Sequence, residues 1–200
     1  MLQSAQVDAF HERDGIMLEA TAMPPGMGSI GMPGTGRRLV EELARAEQYA
    51  SLGAMIADAP AGSVRRVAGR TVVRYRLTRT DGHRLLKAVT LMGRVLLAAG
   101  AREVVTGLPG APPVTGPTEL DAVVGDAHPR QLHLSAFHPT GTARLHGDPQ
   151  AGPVAPDGRL RGVDGVWVAD ASVVPSCPEV NPQITIMALA LGIAHGIART

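Results

Sequence analysis

The stretch LHLSAFHPTGTARLHGDP (residues 132–149) and its continuation GRLRGVDGVWVADASVVPSCPEVNPQITIMALA (residues 158–190) differ in texture from everything before them. Short apolar runs alternate with Gly- and Pro-rich turns, and the stretch ends in an apolar helix. Residues 132–137 read as a strand that delivers His138 to a tight turn of Pro139, Thr140, Gly141 and Thr142. A histidine at a strand end can face a cleft, and imidazole exchanges protons near neutral pH, so His138 is a candidate acid–base group. A structural histidine bonded to backbone fits the same position, and His133 reads as structural. Residues 165–170 form a second apolar run, ending in Asp170, Ala171 and Ser172. Small and polar residues at a strand's carboxyl end are where α/β proteins bind ligands, although plain strand termination gives the same pattern. Asn181 and Pro182 open the last helix, expected over residues 185–198, as a good N-cap followed by a good first-turn residue. Asn181 therefore has a complete structural explanation, while the free amides of a helix start also suit a polarised ligand group.

Working outward, residues 15–22 read as a strand and 23–34 as a loop. Thr35 is placed to cap a helix running to about residue 51, with Leu39, Leu43 and Ala46 on one face. Strand-like runs follow at 54–57, 63–67 and 71–77. Arg70, Arg74 and Arg76 alternate with Val73, Tyr75 and Leu77, which predicts one buried and one wet face. Asp81 can cap a helix over 83–99 whose apolar stripe is Leu86, Val89, Met92 and Leu96 or Leu97, ended by Gly100. Residues 103–106 read as a short strand and 118–126 as a short helix. Gly26, Gly28 and Gly31 spell GxGxxG, but Pro24 and Pro25 break the entry and Pro33 the exit. A dinucleotide turn needs a strand directly before and a helix directly after, so this is read as a loop.

With 200 residues the chain can form one domain or pieces of two. Aromatics are 2% of the sequence, which leaves Val, Leu, Ile, Ala and Met to build the core and argues against base-stacking platforms. The net charge is +1 and the arginines form no stripe, so no nucleic-acid partner is expected. Cys177 is the single cysteine, which rules out an internal disulfide and a Cys-rich zinc site. None of the seven histidines has HxH or HExxH spacing, so no metal site is expected. Residues 1–14 lack the apolar core of a signal peptide, and the apolar run 184–197 is too short to span a bilayer, so a cytoplasmic location is expected.

The motifs HPTGT (138–142), GVDGVWVADASVVP (162–175) and NPQITIMALA (181–190), in this order and spacing, resemble the C-terminal signature of the glucose–methanol–choline (GMC) flavin-dependent alcohol oxidoreductases. GIMLEA (15–20), GAMIADAPAGSVRRV (53–67), VVRYRLTRTDGHRLL (72–86) and AAGAREVV (98–105) are similar to that family in a looser way. The resemblance implies an α/β (α+β) fold. Residues 1–130 would be a portion of the substrate domain, a mostly antiparallel sheet backed by helices. Residues 131–200 would carry the signature, with a strand and helix that return to the FAD domain. It implies His138 and Asn181, 43 positions apart, as the catalytic pair. This is the His/Asn form, similar to choline-, cholesterol- and long-chain-alcohol-oxidising members. His138 would take the alcohol proton while hydride passes to the flavin, and Asn181 would hold the substrate oxygen. Asp170 and Ala171 would lie beside the flavin's ribityl and phosphate portion, and Asn181, Pro182, Gln183 and Thr185 beside its ring.

The sequence departs from the family pattern in three places. Residues 141–146 read GTARLH where GTCRMG is common, and Glu179 stands where long-chain-alcohol-type members usually carry Gly. The strand–GxGxxG–helix unit that grips FAD has no counterpart, so the FAD site is expected to be incomplete. The chain then reads as a fragment, a truncated gene product or one half of a split enzyme. A small nonpolar alcohol is the expected substrate. The alternative is a non-catalytic remnant, or a subunit that needs a separate FAD-binding chain.

Overall fold

The computed structural model describes residues 2–22, 29, 32, 34–59 and 62–199. The chain divides into two units, one of Met1–Ile56 with Arg79–Ser135 and one of Ala57–Thr78 with Ala136–Thr200. The glycine-rich segment with Gly26, Gly28 and Gly31 lies outside the described residues.

In the first unit, β1 (Leu2–Val7), β2 (Ile16–Ala22) and β3 (Ser51–Ile56) form an antiparallel sheet in that order. A short helix, α1 (His11–Asp14), joins the first two strands and ends at Gly15 in the left-handed region, φ 63°. Ile16, Met17 and Leu18 of the central strand are buried in succession, which is why the strand opens as an apolar run and not an alternating one, and Glu19 after them is buried as well. Ile16 and Leu18 pack on Ala88, Leu91, Met92 and Val95 of α3 (Arg79–Ala98). Burying each large side chain contributes about 1.5–3 kcal/mol. A second face of α3 carries Val89 against Val104, Leu108 and Val114, and against Leu120 and Val124 of α4 (Pro117–Gly125). Helix α3 starts at Arg79, ahead of the expected position. Asp81 therefore sits inside the first turn, where a carboxylate faces the positive end of the helix dipole. Gly100, φ 94°, closes the helix: its amide bonds Leu97 O (3.0 Å) and the Ala101 amide bonds Leu96 O (3.0 Å), a Schellman arrangement.

Helix α2 (Gly36–Leu43) is shorter than its apolar stripe suggested. Leu39 and Leu43 are half-buried but Ala46 is exposed, so further turns would bury nothing to offset the cost of ordering them. Residues 103–106 are not a strand; only Val104 bridges, to Val114.

In the second unit, β4 (Ser63–Val67) and β5 (Arg70–Arg74) form a hairpin. Ala68 and Gly69, φ 48° and 79°, make the turn with both central residues left-handed, which matches the twist of the paired strands. The expected buried face is not found: Val73 and Tyr75 are exposed, and only Leu77 of that set is half-buried. Alternation marks two faces; it does not supply a layer to cover one of them. The expected strands at 132–137 and 165–170 are also absent as ladders. The second keeps one bridge, Arg159 to Trp167, with the Arg159 guanidinium 5.6 Å from the Trp167 ring centre. The last helix, α5 (Gln183–Ile197), starts two residues early and leaves Ile184, Met187 and Leu191 exposed. Among the described residues no helix is long and apolar enough to cross a membrane.

Two glycines should respond oppositely to Ala. A Cβ on Gly93 would lie 2.6 Å from Leu120 Cδ2, and Leu120 is fully buried. Ala gains about 1 kcal/mol of helix propensity there and loses about 1–3 kcal/mol to overpacking, so Gly93→Ala should lower stability. Gly192 on α5 has no atom within 4 Å of that position, and Gly192→Ala should raise stability by about 0.5–1 kcal/mol. Urea unfolding of both variants tests the pair of signs.

Candidate functional site

The segment after His138 is held by backbone hydrogen bonds. The amides of Gly141, Ala143 and Leu145 donate to the carbonyls of Ala171 (3.2 Å), Ser172 (2.9 Å) and Val173 (2.8 Å). Alternate residues thus face one short run of carbonyls, as in an extended chain. Gly141 is needed at the start: its φ is +78°, and a Cβ there would lie 3.3 Å from Val174 O.

The carbonyl run is shaped by Asp170. Its Oδ1 accepts from the Ser172 hydroxyl (2.5 Å) and the Ser172 amide (2.8 Å), capping the single helical turn Ala171–Val173. These two bonds, the hydroxyl's first, hold the Asp170 carboxyl below the usual carboxylate range. Val173 is fully buried and packs with Val154 and Ile193, flanked by Leu145, Leu160, Trp167, Val168 and Leu189. Helix α5 joins this core at Ile193, whose side chain comes so close to Gly158 that a Cβ there would lie 2.6 Å away.

The entry to α5 differs from the expectation. Pro182 (φ −86°, ψ 2°) occupies the cap position and its carbonyl accepts from the Ile186 amide (2.8 Å), so Asn181 lies one residue before the cap. The Asn181 side-chain oxygen is buried, as is Pro182, whereas Gln183 and Thr185 on the first turn are exposed. Glu179 is exposed and left-handed, φ 61°, the conformation glycine adopts without strain.

His138, Asp170, Ala171, Asn181, Pro182, Gln183 and Thr185 all belong to the second unit. The ladder brings the turn after His138 against Ala171 and beside Asp170. His138 itself is exposed. Ser172 and Gly141, legible in the sequence only as turn residues, have specific tasks here: Ser172 secures Asp170 and Gly141 permits the turn. The Asp-x-Ser pattern at 170–172 is a recognisable Asx-turn signal. Among the described residues no group of three or more His, Cys, Asp or Glu side chains could hold a metal ion.

A family model described as GMC oxidoreductase matches residues 61–190. Comparison with curated proteins gives 57% identity over 194 residues to an uncharacterized GMC-type oxidoreductase of Mycobacterium tuberculosis, covering 97% of this chain and 31% of that protein. A long-chain-alcohol oxidase of Arabidopsis thaliana is 30% identical over 92% of this chain and 26% of its own length. Among solved structures, formate oxidase of Aspergillus oryzae superimposes with a TM-score of 0.60 at 20% identity, over 92% of this chain and 31% of that one, which speaks to the fold. The chain belongs to the GMC oxidoreductase family, a family of FAD-dependent enzymes, and spans about a third or less of the length of these curated relatives.

Two measurements follow from the local geometry. Asp170→Ala should cost about 1 kcal/mol through loss of the cap. Because the folded carboxyl titrates below its unfolded value, its contribution is present above the unfolded value, about 3.9, and fades as pH falls below it. The melting difference between parent and Asp170→Ala should accordingly shrink below about pH 4. At position 179, Glu179→Gly should be more stable than Glu179→Ala by about 1 kcal/mol, since only Ala keeps the left-handed strain.

Proposed function

We propose that this chain forms the C-terminal catalytic portion of a flavin-dependent oxidoreductase acting on CH–OH donors, converting an alcohol to an aldehyde or ketone. The observation that carries the reading is the register in which the His138 turn is tied to the Ala171–Val173 turn, in the same unit as Asn181 and the start of α5. The residues suit a flavin. The first amides of a 15-residue helix point outward at Gln183 to Thr185. Asp170 commits Oδ1 to Ser172 and keeps Oδ2 to accept from a hydroxyl. FAD, when bound, supplies the two-electron acceptor.

The chain's own groups would do the rest. An alcohol carbon that loses hydride must also lose its hydroxyl proton, and an imidazole nitrogen of His138 is the group proposed to take it. Asn181 can donate through its amide nitrogen to the substrate oxygen and hold it beside His138, stabilising the charge that develops there. Asp170 and Ala171 would contact the ribityl and phosphate portion, and Pro182, Gln183 and Thr185 the ring edge. The Arabidopsis relative's name, a long-chain-alcohol oxidase, supports a nonpolar alcohol.

In a second reading most of the flavin is held by residues outside these 200, in the same or a separate chain; the matched region is 31% of the Mycobacterium relative. The visible absorption spectrum of the purified chain, with and without added FAD, separates the two. A retained, shifted flavin band is expected for a site that works alone, and alcohols should then bleach it. In that flavin-loaded protein His138→Ala should slow bleaching by about 10²–10⁴-fold. Retention of no flavin would select the second reading, and bleaching untouched by His138→Ala would overturn the role given to His138.

A further inference from the structure

We infer that Arg161 is a positioning residue for the His138 turn; the inference rests on the reading of His138 as proton acceptor. The Arg161 guanidinium donates to four carbonyls. Nη1 reaches Gly152 O (2.8 Å) and Val154 O (3.2 Å), and Nη2 reaches His146 O (2.9 Å) and Gly147 O (3.1 Å). The Arg161 backbone amide adds a bond to Pro153 O (2.9 Å). One side chain therefore ties residues 146–147 to residues 152–154.

That tie lies directly on the ladder that sets the catalytic turn. The His146 amide bonds Val154 O (3.0 Å), and Leu145, one residue earlier, bonds Val173 O. Ala143 and Gly141 follow on Ser172 and Ala171, and His138 stands three residues beyond Gly141. Arg161 holds the far end of this extended run, and Gly141 its near end. Arg144 also pins the loop, but through one bond, Nε to Ala151 O (2.6 Å). Only a planar fork with donors on both sides can serve two pairs of carbonyls at once; a lysine ammonium is a single point and can serve one pair. The four oxygens that the guanidinium meets all belong to backbone carbonyls, so its charge is directed at backbone geometry and not at a carboxylate.

The test is NMR on the 200-residue chain and its Arg161→Met and Arg161→Lys variants, reading amide exchange and the His138 ring signals together. In Arg161→Met the amides of Gly141, Ala143 and Leu145 should exchange at least about tenfold faster, which is the loss of one ladder bond's worth of protection. The His138 ring signals should move toward those of an unstructured peptide, while the Leu189 and Ile193 amides in α5 keep their protection. Arg161→Lys should fall between parent and Arg161→Met on both readouts. Unchanged exchange at 141–145 and unchanged His138 signals in Arg161→Met would overturn the inference. So would a loss of protection that includes Leu189 and Ile193 in both variants, because Arg161 would then support the unit as a whole. No flavin or substrate enters these measurements, so a failed flavin titration has no bearing on whether Arg161 positions the turn.

Discussion

Three backbone hydrogen bonds, from Gly141, Ala143 and Leu145 to Ala171, Ser172 and Val173, are the constraint around which the second unit is organised. They join parts of the chain about 30 residues apart, so the closure of the intervening loop must be stabilised from elsewhere. Several features of the sequence make sense as that stabilisation. Asp170 and Ser172 shape the accepting carbonyls, Val173 anchors them in the core, and Arg161 and Arg144 brace the loop between. Gly141 supplies the one backbone conformation that lets the donor run begin where it does. The chemistry proposed for His138 depends on this bracing, because an exposed imidazole at a turn is placed only as well as its backbone is.

The scarcity of aromatic residues sets the packing style of both units. Without large flat side chains, elements approach closely at glycines: Gly93 of α3 receives Leu120, and Gly158 receives Ile193 of α5. Branched aliphatics then fill the remaining space, with Ile16 and Leu18 on one side of α3 and Val104, Val114 and Leu120 on the other. Helix α3 packs along two stripes and is the element about which the first unit is built.

Motif spacing made the family and the candidate residues legible, and apolar periodicity located α3, α4 and α5 to within a few residues. What misled was local apolarity without a partner. Residues 132–137 and 165–170 have strand composition yet form no ladder, because strand pairing requires a neighbour in register and each finds at most one bridge. The Val73 and Tyr75 face of the hairpin alternates correctly and still lies exposed. Asn181 has the composition of a cap, but Pro182 takes the position, since its carbonyl is the one aligned with the Ile186 amide.

The amino-acid sequence by itself determined the turn glycines and the motif series that marks the family, and through that resemblance it implied an antiparallel α+β fold and nominated His138 and Asn181. These are encoded in residue type and spacing, which survive without knowledge of contacts. Only the tertiary structure decided that Asp170 acts first on Ser172, that Glu179 occupies a glycine-like conformation, and that Arg161 gathers four carbonyls. Each of these depends on atoms brought together across a turn or a loop. Such proximity is a property of the closed chain, where the geometry of one segment sets what a distant side chain can reach.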